Sequence, residues 1–163
     1  MTVREDVTQL PDGAPGLYGV IDKPDFAAIV PMHTDGQIQL VEQYRYPVTR
    51  RMWEIPQGGW PSKHTAPALD LANAELQEET GFRAAHLDHI GKFHANPAMC
   101  SQAYDLFLAT GLAAGKTARE ATEQDMQTRS FPFDEILAMI DRAEITCAAS
   151  IAALGLLRLK GKI

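Results

Sequence analysis

The chain has 163 residues, 45% of them apolar, and a formal net charge of −6. This length supports one domain with a proper hydrophobic core and is short for two, and the apolar share argues against disorder. With 21 acidic residues against 15 Lys and Arg, a broad nucleic-acid-binding surface is not expected. We therefore predict one domain over residues 1–163 that binds no nucleic acid.

The cellular setting is indicated by features that are missing from the sequence. No apolar run reaches the roughly 18 residues that a membrane-spanning helix needs. The first residues do not show the positive charge and following apolar stretch of a secretory signal. Cys100 and Cys147 are far apart and have no metal-ligand spacing, so neither a disulfide scaffold nor a zinc site is indicated. We expect a cytoplasmic protein that does not bind membranes.

The first half of the chain is predicted to form short β-strands separated by turn residues. These strands span residues 2–10, 17–21, 26–32, 37–44 and 51–55. The last of them ends at Pro56-Gln57-Gly58-Gly59, which is typical of a turn. Later strands are predicted over residues 87–94, 103–109 and 126–131, and late helices over residues 133–142 and 148–160. Together with a central helix, these elements indicate an α+β sandwich built on a mainly antiparallel or mixed sheet.

The central helix is predicted over residues 67–80, where the apolar periodicity changes from that of a strand to that of a helix. Pro67 suits the first helical turn, and Thr65 or Ala66 can provide the cap. Gly81 suits the position just past the end.

Three acidic residues of this helix share one face. At about 100° per residue, Glu75, Glu78 and Glu79 fall within an arc of roughly 100°. They adjoin an apolar stripe of Leu69, Ala72 and Leu76 that we expect to face the core, so we expect the glutamates at the border between core and solvent. Like charges this close repel one another unless a cation joins them. A hard cation such as Mg²⁺ binds oxygen ligands and keeps positions open for water and phosphate. The ordinary alternative to a metal site is an acidic helix face that is simply solvated. The spacing of the three glutamates by itself favours the metal site only modestly over this alternative.

Residues 75–82, Glu-Leu-Gln-Glu-Glu-Thr-Gly-Phe, resemble the C-terminal part of the Nudix box, G-x5-E-x7-R-E-U-x-E-E-x-G-U. The preceding Glu54-Ile55-Pro56-Gln57-Gly58-Gly59 resembles the Glu-Leu-Pro-Ala-Gly segment of ADP-ribose pyrophosphatase-like members. The resemblance extends along most of the chain, with the box-like segment at about residues 58–82. It implies a Nudix-type α/β/α sandwich with a mixed β-sheet, and a homodimer.

The box-like segment departs from the family pattern in three places. Ala74 replaces the arginine that pairs with the glutamates in the family, and Ala66 stands where the first glutamate belongs. The loop between Gly59 and Ala66 also carries one extra residue. The positions of the core metal ligands are kept, so we expect an intact metal site with altered surroundings.

The resemblance implies hydrolysis of the pyrophosphate bond of ADP-ribose or a related nucleoside-diphosphate sugar, with Mg²⁺ or Mn²⁺ as the cofactor. The products would be a nucleoside monophosphate and a sugar phosphate. By this resemblance Glu75 and Glu79 are metal ligands, and Glu79 is also counted as catalytic. The backbone carbonyl of Gln57 is expected as a third ligand, and Glu78 is expected to hold further ions or their waters.

The general base in ADP-ribose pyrophosphatases can be a glutamate on a loop well after the box. The matching stretch here contains Glu123 and Asp125. We favour Glu123 and keep Asp125 as the alternative, since a base must come within about 3 Å of the attacking water and sequence cannot show that distance.

Substrate binding is assigned to residues before and after the box. Arg45 and Arg51 are the expected anion clamp because the guanidinium fork matches phosphate oxygens, whereas Arg50 is interpreted as a solvated surface residue. Glu54 matches a family position near the substrate. Pro97 occupies a place where ADP-ribose-type members tend to have a proline, and it is expected to shape the loop over the terminal ribose.

Two further functions stay open at this point. The same chemistry could act on another nucleotide, such as a dinucleotide or a nucleoside triphosphate. The chain could instead be a catalytically weak nucleotide-binding or regulatory module, which Ala74 and Ala66 favour. Retention of three mutually repelling glutamates disfavours that last function.

Overall fold

The computed structural model describes residues 1–60, 67–119 and 123–163. Within these ranges the chain forms nine strands, three α-helices and one 3₁₀ turn at Tyr46–Val48. The strands are β1 (Thr2–Gln9), β2 (Pro15–Asp22), β3 (Phe26–Pro31), β4 (Ile38–Arg45), β5 (Arg50–Glu54), β6 (Gln57–Gly58), β7 (Phe82–His94), β8 (Ala103–Ala114) and β9 (Gln127–Phe131). The helices are α1 (Ala68–Thr80), α2 (Phe133–Asp141) and α3 (Ala148–Leu159).

Each strand and helix predicted from the sequence is present, with shifted ends. β7 and β8 are longer than predicted because they form one antiparallel hairpin, paired from His94 and Ala103 out to Phe82 and Ala114. The short strand β6 was missed, since its sequence is typical of a turn.

The start of α1 differs slightly from the prediction. Pro67 occupies the cap position just before the helix instead of its first turn. Thr65 and Ala66, the predicted capping residues, lie outside the described residues. At the other end, Gly81 adopts a left-handed conformation with φ of 77° and donates its backbone N–H to the carbonyl of Gln77, as predicted.

Two sheets form the centre of the molecule. The larger has the strand order β6-β3-β8-β7 and is mixed, because β3 and β8 run parallel while the other neighbours are antiparallel. The smaller is antiparallel, with the order β5-β4-β9. The β1–β2 hairpin forms a two-stranded sheet of its own.

Helices cover the larger sheet on both faces. Successive strand side chains point to opposite faces, so Ala28 and Val30 of β3 pack in one core cluster with residues of α2 and α3. Ala27 and Ile29 pack in a second cluster against α1. This is the α/β/α sandwich that the resemblance implied. No helix in the described ranges is long and apolar enough to cross a membrane.

The buried face of α1 is rotated from the prediction at its first turn. Leu69 was expected to face the core but is 45% exposed, and Leu71 is buried instead. Farther along, Ala72 and Leu76 are buried as expected. This packing holds α1 against the sheet, and Glu75 and Glu79 lie against β6.

Candidate active site

Glu79 lies at the centre of the site and is only 1% exposed. The sequence placed it at the border of core and solvent, whereas the structure buries it beneath β6. One carboxylate oxygen, Oε2, accepts a hydrogen bond of 3.1 Å from the backbone nitrogen of Gln57. Burial raises the pKa of Glu79 well above its ordinary value, and the nearby carboxylates of Glu75 and Glu123 raise it further. The Gln57 hydrogen bond and the charge of Arg45 lower the pKa without cancelling this effect.

Glu75 lies directly against the short strand β6. A Cβ atom at Gly58 would overlap the carboxylate of Glu75, so a larger residue there would displace that carboxylate. Glu78, one residue before Glu79, is half-buried, and its backbone carbonyl accepts a 3.2 Å hydrogen bond from Ala118. Two of the three predicted acidic ligands therefore converge on β6, and the third lies at the edge of the same helix end.

These residues fit a hard divalent cation. A buried carboxyl group whose neighbours are mainly acidic needs either a proton or a cation. Within the described ranges, no group of three or more His, Cys, Asp or Glu side chains is already arranged to hold a metal. Backbone oxygens, waters and substrate phosphate oxygens would complete the coordination, as Mg²⁺ commonly requires. Gln57, the predicted carbonyl ligand, is adjacent to Glu79 through its backbone nitrogen.

Arg45 and Glu54 form an ion pair beside this centre. The guanidinium donates to both carboxylate oxygens, with its shortest contact at 2.6 Å, and Glu54 is 2% exposed. Gln57 donates its side-chain amide to the same carboxylate at 3.0 Å. Desolvation acts to lower the pKa of Arg45, but the hydrogen bond to Glu54 and the charges of Glu54 and Glu79 raise it overall. Arg45 therefore stays charged next to the acidic centre.

Arg51 is not beside Arg45, although the sequence placed both in one anion clamp. Arg51 pairs with Tyr44 across the β4–β5 hairpin. Its side chain therefore lies on one face of the hairpin, and the side chain of Arg45 lies on the other. There it forms ion pairs with Glu42 at 2.7 Å and with Asp125 at 2.5 Å. Its hydrogen bonds to these two carboxylates raise its pKa above the ordinary value.

The two candidate bases are in different environments. Glu123 is close enough to Glu79 for its charge to raise the pKa of Glu79. Asp125, whose side chain is 66% exposed, is engaged by Arg51. Glu123 therefore lies near the acidic centre and Asp125 is held by Arg51, while the choice of general base stays a prediction.

Arg119 connects the loop of the candidate base to α1, and the sequence reasoning missed it. Its Nε donates to the backbone carbonyl of Glu79 at 3.2 Å, and a terminal nitrogen donates to the carbonyl of Met126. The Gln124 side chain donates back to the Arg119 carbonyl at 2.9 Å. A cation thus lies at the C-terminal end of α1, against the backbone of Glu79. In the sequence, the only signal for this role of Arg119 was its position as an isolated arginine near the predicted base.

Pro97 is exposed on the loop between β7 and β8, and this loop packs against β2. The Tyr18 hydroxyl donates to the carbonyl of Ala98 at 2.6 Å, and the Ile21 backbone nitrogen donates to that of Met99. In the part of the chain that the structure describes, no hydrogen bond or ion pair joins Pro97 to the acidic centre. The role of Pro97 over the terminal ribose stays a prediction, as does substrate binding by Arg51.

Comparisons with known proteins agree with the fold and identify the family. No protein-family model matches the chain. The chain is 31% identical to an ADP-ribose pyrophosphatase of Mycobacterium tuberculosis, over 92% of this chain and 72% of that protein. It is 30% identical to an ADP-ribose pyrophosphatase of Bacillus subtilis, over 96% of this chain and 83% of that protein.

A solved structure shares the architecture. The crystal structure of an ADP compounds hydrolase superposes with a TM-score of 0.80, covering 99% of this chain and 96% of that one at 17% sequence identity. This match shows the fold, while the two relatives of higher identity show the family. The chain therefore belongs to the Nudix hydrolases, among their ADP-ribose pyrophosphatase-like members.

Proposed function

We propose that this protein hydrolyses the pyrophosphate bond of ADP-ribose or a related nucleoside-diphosphate sugar, yielding a nucleoside monophosphate and a sugar phosphate. The main observation that supports this proposal is the buried carboxyl group of Glu79, which has Glu75 and Glu123 nearby and Arg45 as the adjacent cation. Such a centre suits a divalent cation and an anionic polyphosphate. The activity named for the two relatives supports ADP-ribose as the substrate.

The proposed metal is Mg²⁺ or Mn²⁺, with Glu75 and Glu79 as ligands and the Gln57 carbonyl as a third. When bound, the cation would supply a water of lowered pKa and screen the charge on the phosphate oxygens. Glu78 would hold further ions or their waters from the edge of the helix end. The buried position of Glu79 excludes bulk water from one side, which strengthens every electrostatic contact there.

The remaining roles fall to residues around the acidic centre. Glu123 accepts the proton from the attacking water, and its proximity to Glu79 supports this role. Arg45 binds phosphate oxygens with the N–H groups that Glu54 leaves available, while Glu54 fixes the plane of the guanidinium. Gln57 holds Glu54 in place through its side-chain amide.

We also propose that the protein is a homodimer formed through the β1–β2 hairpin. An isolated two-stranded hairpin is marginal in water, and this one leaves large apolar side chains exposed, with Val7 at 79%, Val3 at 68% and Leu17 at 67%. Size-exclusion chromatography with light scattering tests this directly: the expected mass is twice that of the chain. A monomer at micromolar concentration would contradict the proposal.

Further proposals concern the domain organisation, the type of substrate and the cellular location of the protein. The chain forms a single Nudix domain over residues 1–163, and the net charge of −6 supports a small-molecule substrate over nucleic acid. We place the protein in the cytoplasm, where its two unpaired cysteines, Cys100 and Cys147, would stay reduced.

The test of function is a comparison of initial rates on ADP-ribose, a dinucleotide and a nucleoside triphosphate, each with Mg²⁺, with Mn²⁺ and with EDTA. The expected result is fastest turnover of ADP-ribose, with AMP and ribose 5-phosphate in equal amounts and no products with EDTA. Faster turnover of another substrate would change the substrate assignment. Metal-independent binding of ADP-ribose without AMP release would establish the binding-module alternative.

A further inference from the structure

Residues 123–126 form a short turn that begins at the proposed base and leads into β9. The backbone nitrogen of Met126 donates to the carbonyl of Glu123 at 2.9 Å, which closes the turn. Met126 is buried, whereas the side chain of Asp125 is exposed. Burial therefore fixes the end of the turn at Met126, and the position of Glu123 depends on the contacts that hold the rest of it.

Arg51 reaches this turn across the middle strand of the smaller sheet. It lies on β5, Asp125 lies just before β9, and β4 runs between these two strands. On β4, both carboxylate oxygens of Glu42 accept hydrogen bonds of 2.8 Å from Nε of Arg51. One terminal nitrogen of Arg51 forms the 2.5 Å ion pair with Asp125, and the other donates to the Asp125 backbone carbonyl at 3.0 Å. The guanidinium thus holds both the side chain and the backbone of one turn residue.

A second arginine holds the same turn from the side of α1. Arg119 donates to the backbone carbonyl of Met126 and, through Nε, to that of Glu79 at 3.2 Å. Arg51 and Arg119 therefore contact two successive residues of the turn, Asp125 and Met126. The turn is tied to β5 by one arginine and to the helix of the predicted metal ligands by the other.

The geometry of Arg51 is unfavourable for direct contact with the pyrophosphate. Its side chain lies on the face of the β4–β5 hairpin opposite to that of Arg45, the cation beside the acidic centre. Nε and both terminal nitrogens of Arg51 already donate to Glu42 and Asp125. A phosphate group would have to replace carboxylates that occupy these donors.

We propose that Arg51 is a positioning residue, which acts through Asp125 to hold the turn that carries Glu123. The inference rests on the proposed function, and it gives Arg51 a role different from the anion clamp expected from the sequence. A general base must come within hydrogen-bonding distance of the attacking water. A misplacement of about 1 Å can lower a rate about a hundredfold. A turn held at two points keeps the Glu123 carboxylate at a constant distance from the metal ligands.

The first test measures kcat and KM for ADP-ribose with Mg²⁺ in Arg51→Ala, Asp125→Ala and the double variant. We expect Arg51→Ala to lower kcat about tenfold with KM changed less than about twofold. Asp125→Ala should lower kcat at least about threefold, because the backbone contact to Arg51 remains. The double variant should be no slower than Arg51→Ala, since both substitutions remove the same contact.

Two further variants separate positioning from general effects of substitution. Arg51→Lys should restore part of the rate, because an ammonium group can pair with Asp125 but cannot reproduce the full set of guanidinium hydrogen bonds. Arg142→Ala is the matched control and should keep full activity. Arg142 is likewise paired with two carboxylates, those of Glu135 and Glu144, but it follows α2 and does not contact the turn.

Three kinetic results would overturn the proposal. An increase in KM at unchanged kcat in Arg51→Ala would show that Arg51 binds the substrate directly. Losses that multiply in the double variant would show that Arg51 and Asp125 act independently. A loss in Asp125→Ala far greater than that in Arg51→Ala would make Asp125 itself a participant in the reaction.

The second test is hydrogen exchange of the Met126 amide, measured by NMR on the protein with EDTA, so that it does not depend on catalysis. Exchange should be about three- to fivefold faster in Arg51→Ala and in Asp125→Ala, and unchanged in Arg142→Ala. Unchanged exchange in the first two variants would overturn the proposal even if their activity falls. Faster exchange together with a wild type that hydrolyses no nucleotide substrate would refute the proposed function, while Arg51 would still be shown to hold the turn.

Discussion

Replacing Glu79 with Gln is expected to stabilise the metal-free protein while abolishing hydrolysis. The side chain is 1% exposed, and glutamine keeps an oxygen that can accept the hydrogen bond from Gln57. The substitution removes the charge that is unfavourable because of burial and because Glu75 and Glu123 lie nearby. The same charge is what a divalent cation requires, so stability without metal and activity with metal should change in opposite directions.

The raised pKa of Glu79 sets the sign of the pH dependence. Its folded-state pKa lies above the ordinary value of 4.5. The folded protein therefore holds this proton more tightly, and the resulting contribution to stability is lost as the pH rises through the folded pKa. An uncompensated buried polar group costs about 1–3 kcal/mol. We expect Glu79→Gln to increase the free energy of unfolding by about that amount near pH 8 with EDTA, and to change it little near pH 4.

The assay is urea denaturation of both proteins at the two pH values, with EDTA and again with Mg²⁺. Added Mg²⁺ should stabilise the wild type and not the variant, because only the wild type presents the full set of ligands. Asp141→Asn is the matched control at an exposed carboxylate outside the proposed dimer interface, and it should change stability by less than about 0.5 kcal/mol. A variant that is less stable than wild type near pH 8 without metal would refute the reasoning, since the charge would then be compensated within the fold.

Three other perturbations test separate parts of the site. Gly58→Ala should lower the Mg²⁺-dependent activity at least about tenfold, because a Cβ there displaces the Glu75 carboxylate. The control variant Gly155→Ala, where a Cβ meets nothing within 4 Å, should keep full activity. Arg119→Ala should lower kcat about tenfold with KM little changed, since the loop of the candidate base loses its hydrogen bond to α1, and a lysine at this position should restore part of the rate. Partial burial acts to raise the pKa of Asp25, but hydrogen bonds from Lys92 and from the backbone N–H of Ala103 lower this pKa overall. Asp25 therefore stabilises the fold above pH 3.8, and this stabilisation is lost as the pH falls through its folded-state pKa. Asp25→Asn should therefore lower Tm at neutral pH, and the loss should shrink progressively as the pH falls below 3.8, as measured by thermal denaturation. A loss that stays constant as the pH falls would contradict this assignment.

Periodicity in the sequence predicted the elements because each depends on contacts between near neighbours. Alternation identified β4, and the helical spacing of acidic and apolar residues identified α1. β6 was missed because two residues within a Pro-Gln-Gly-Gly segment carry no periodicity, and only pairing with β3 makes them a strand. The exposure of Leu69 was missed for a related reason, since the sequence does not show where the sheet ends beneath the helix.

The candidate site was predictable where its residues lie on one element and not where distant segments meet. The spacing of Glu75 and Glu79 on one helix could be read directly. The ion pair of Arg51 with Asp125 joins residues 74 positions apart, so it depends on the order and register of the smaller sheet. The separation of Arg45 from Arg51 depends on the same register, because successive side chains along a strand point to opposite faces and Arg51 pairs with Tyr44.

The central claim is that this protein hydrolyses a nucleoside-diphosphate sugar with a divalent cation that Glu75 and the buried Glu79 would hold. The most direct measurement is the rate of AMP release from ADP-ribose with Mg²⁺, compared between wild type and Glu79→Gln. Loss of a residue that only supports a metal ligand costs about 10–100-fold, so loss of a ligand should reduce the rate at least about a hundredfold. Metal-dependent release by the wild type that collapses in the variant is the predicted result. Release that continues at a similar rate in Glu79→Gln would contradict the account.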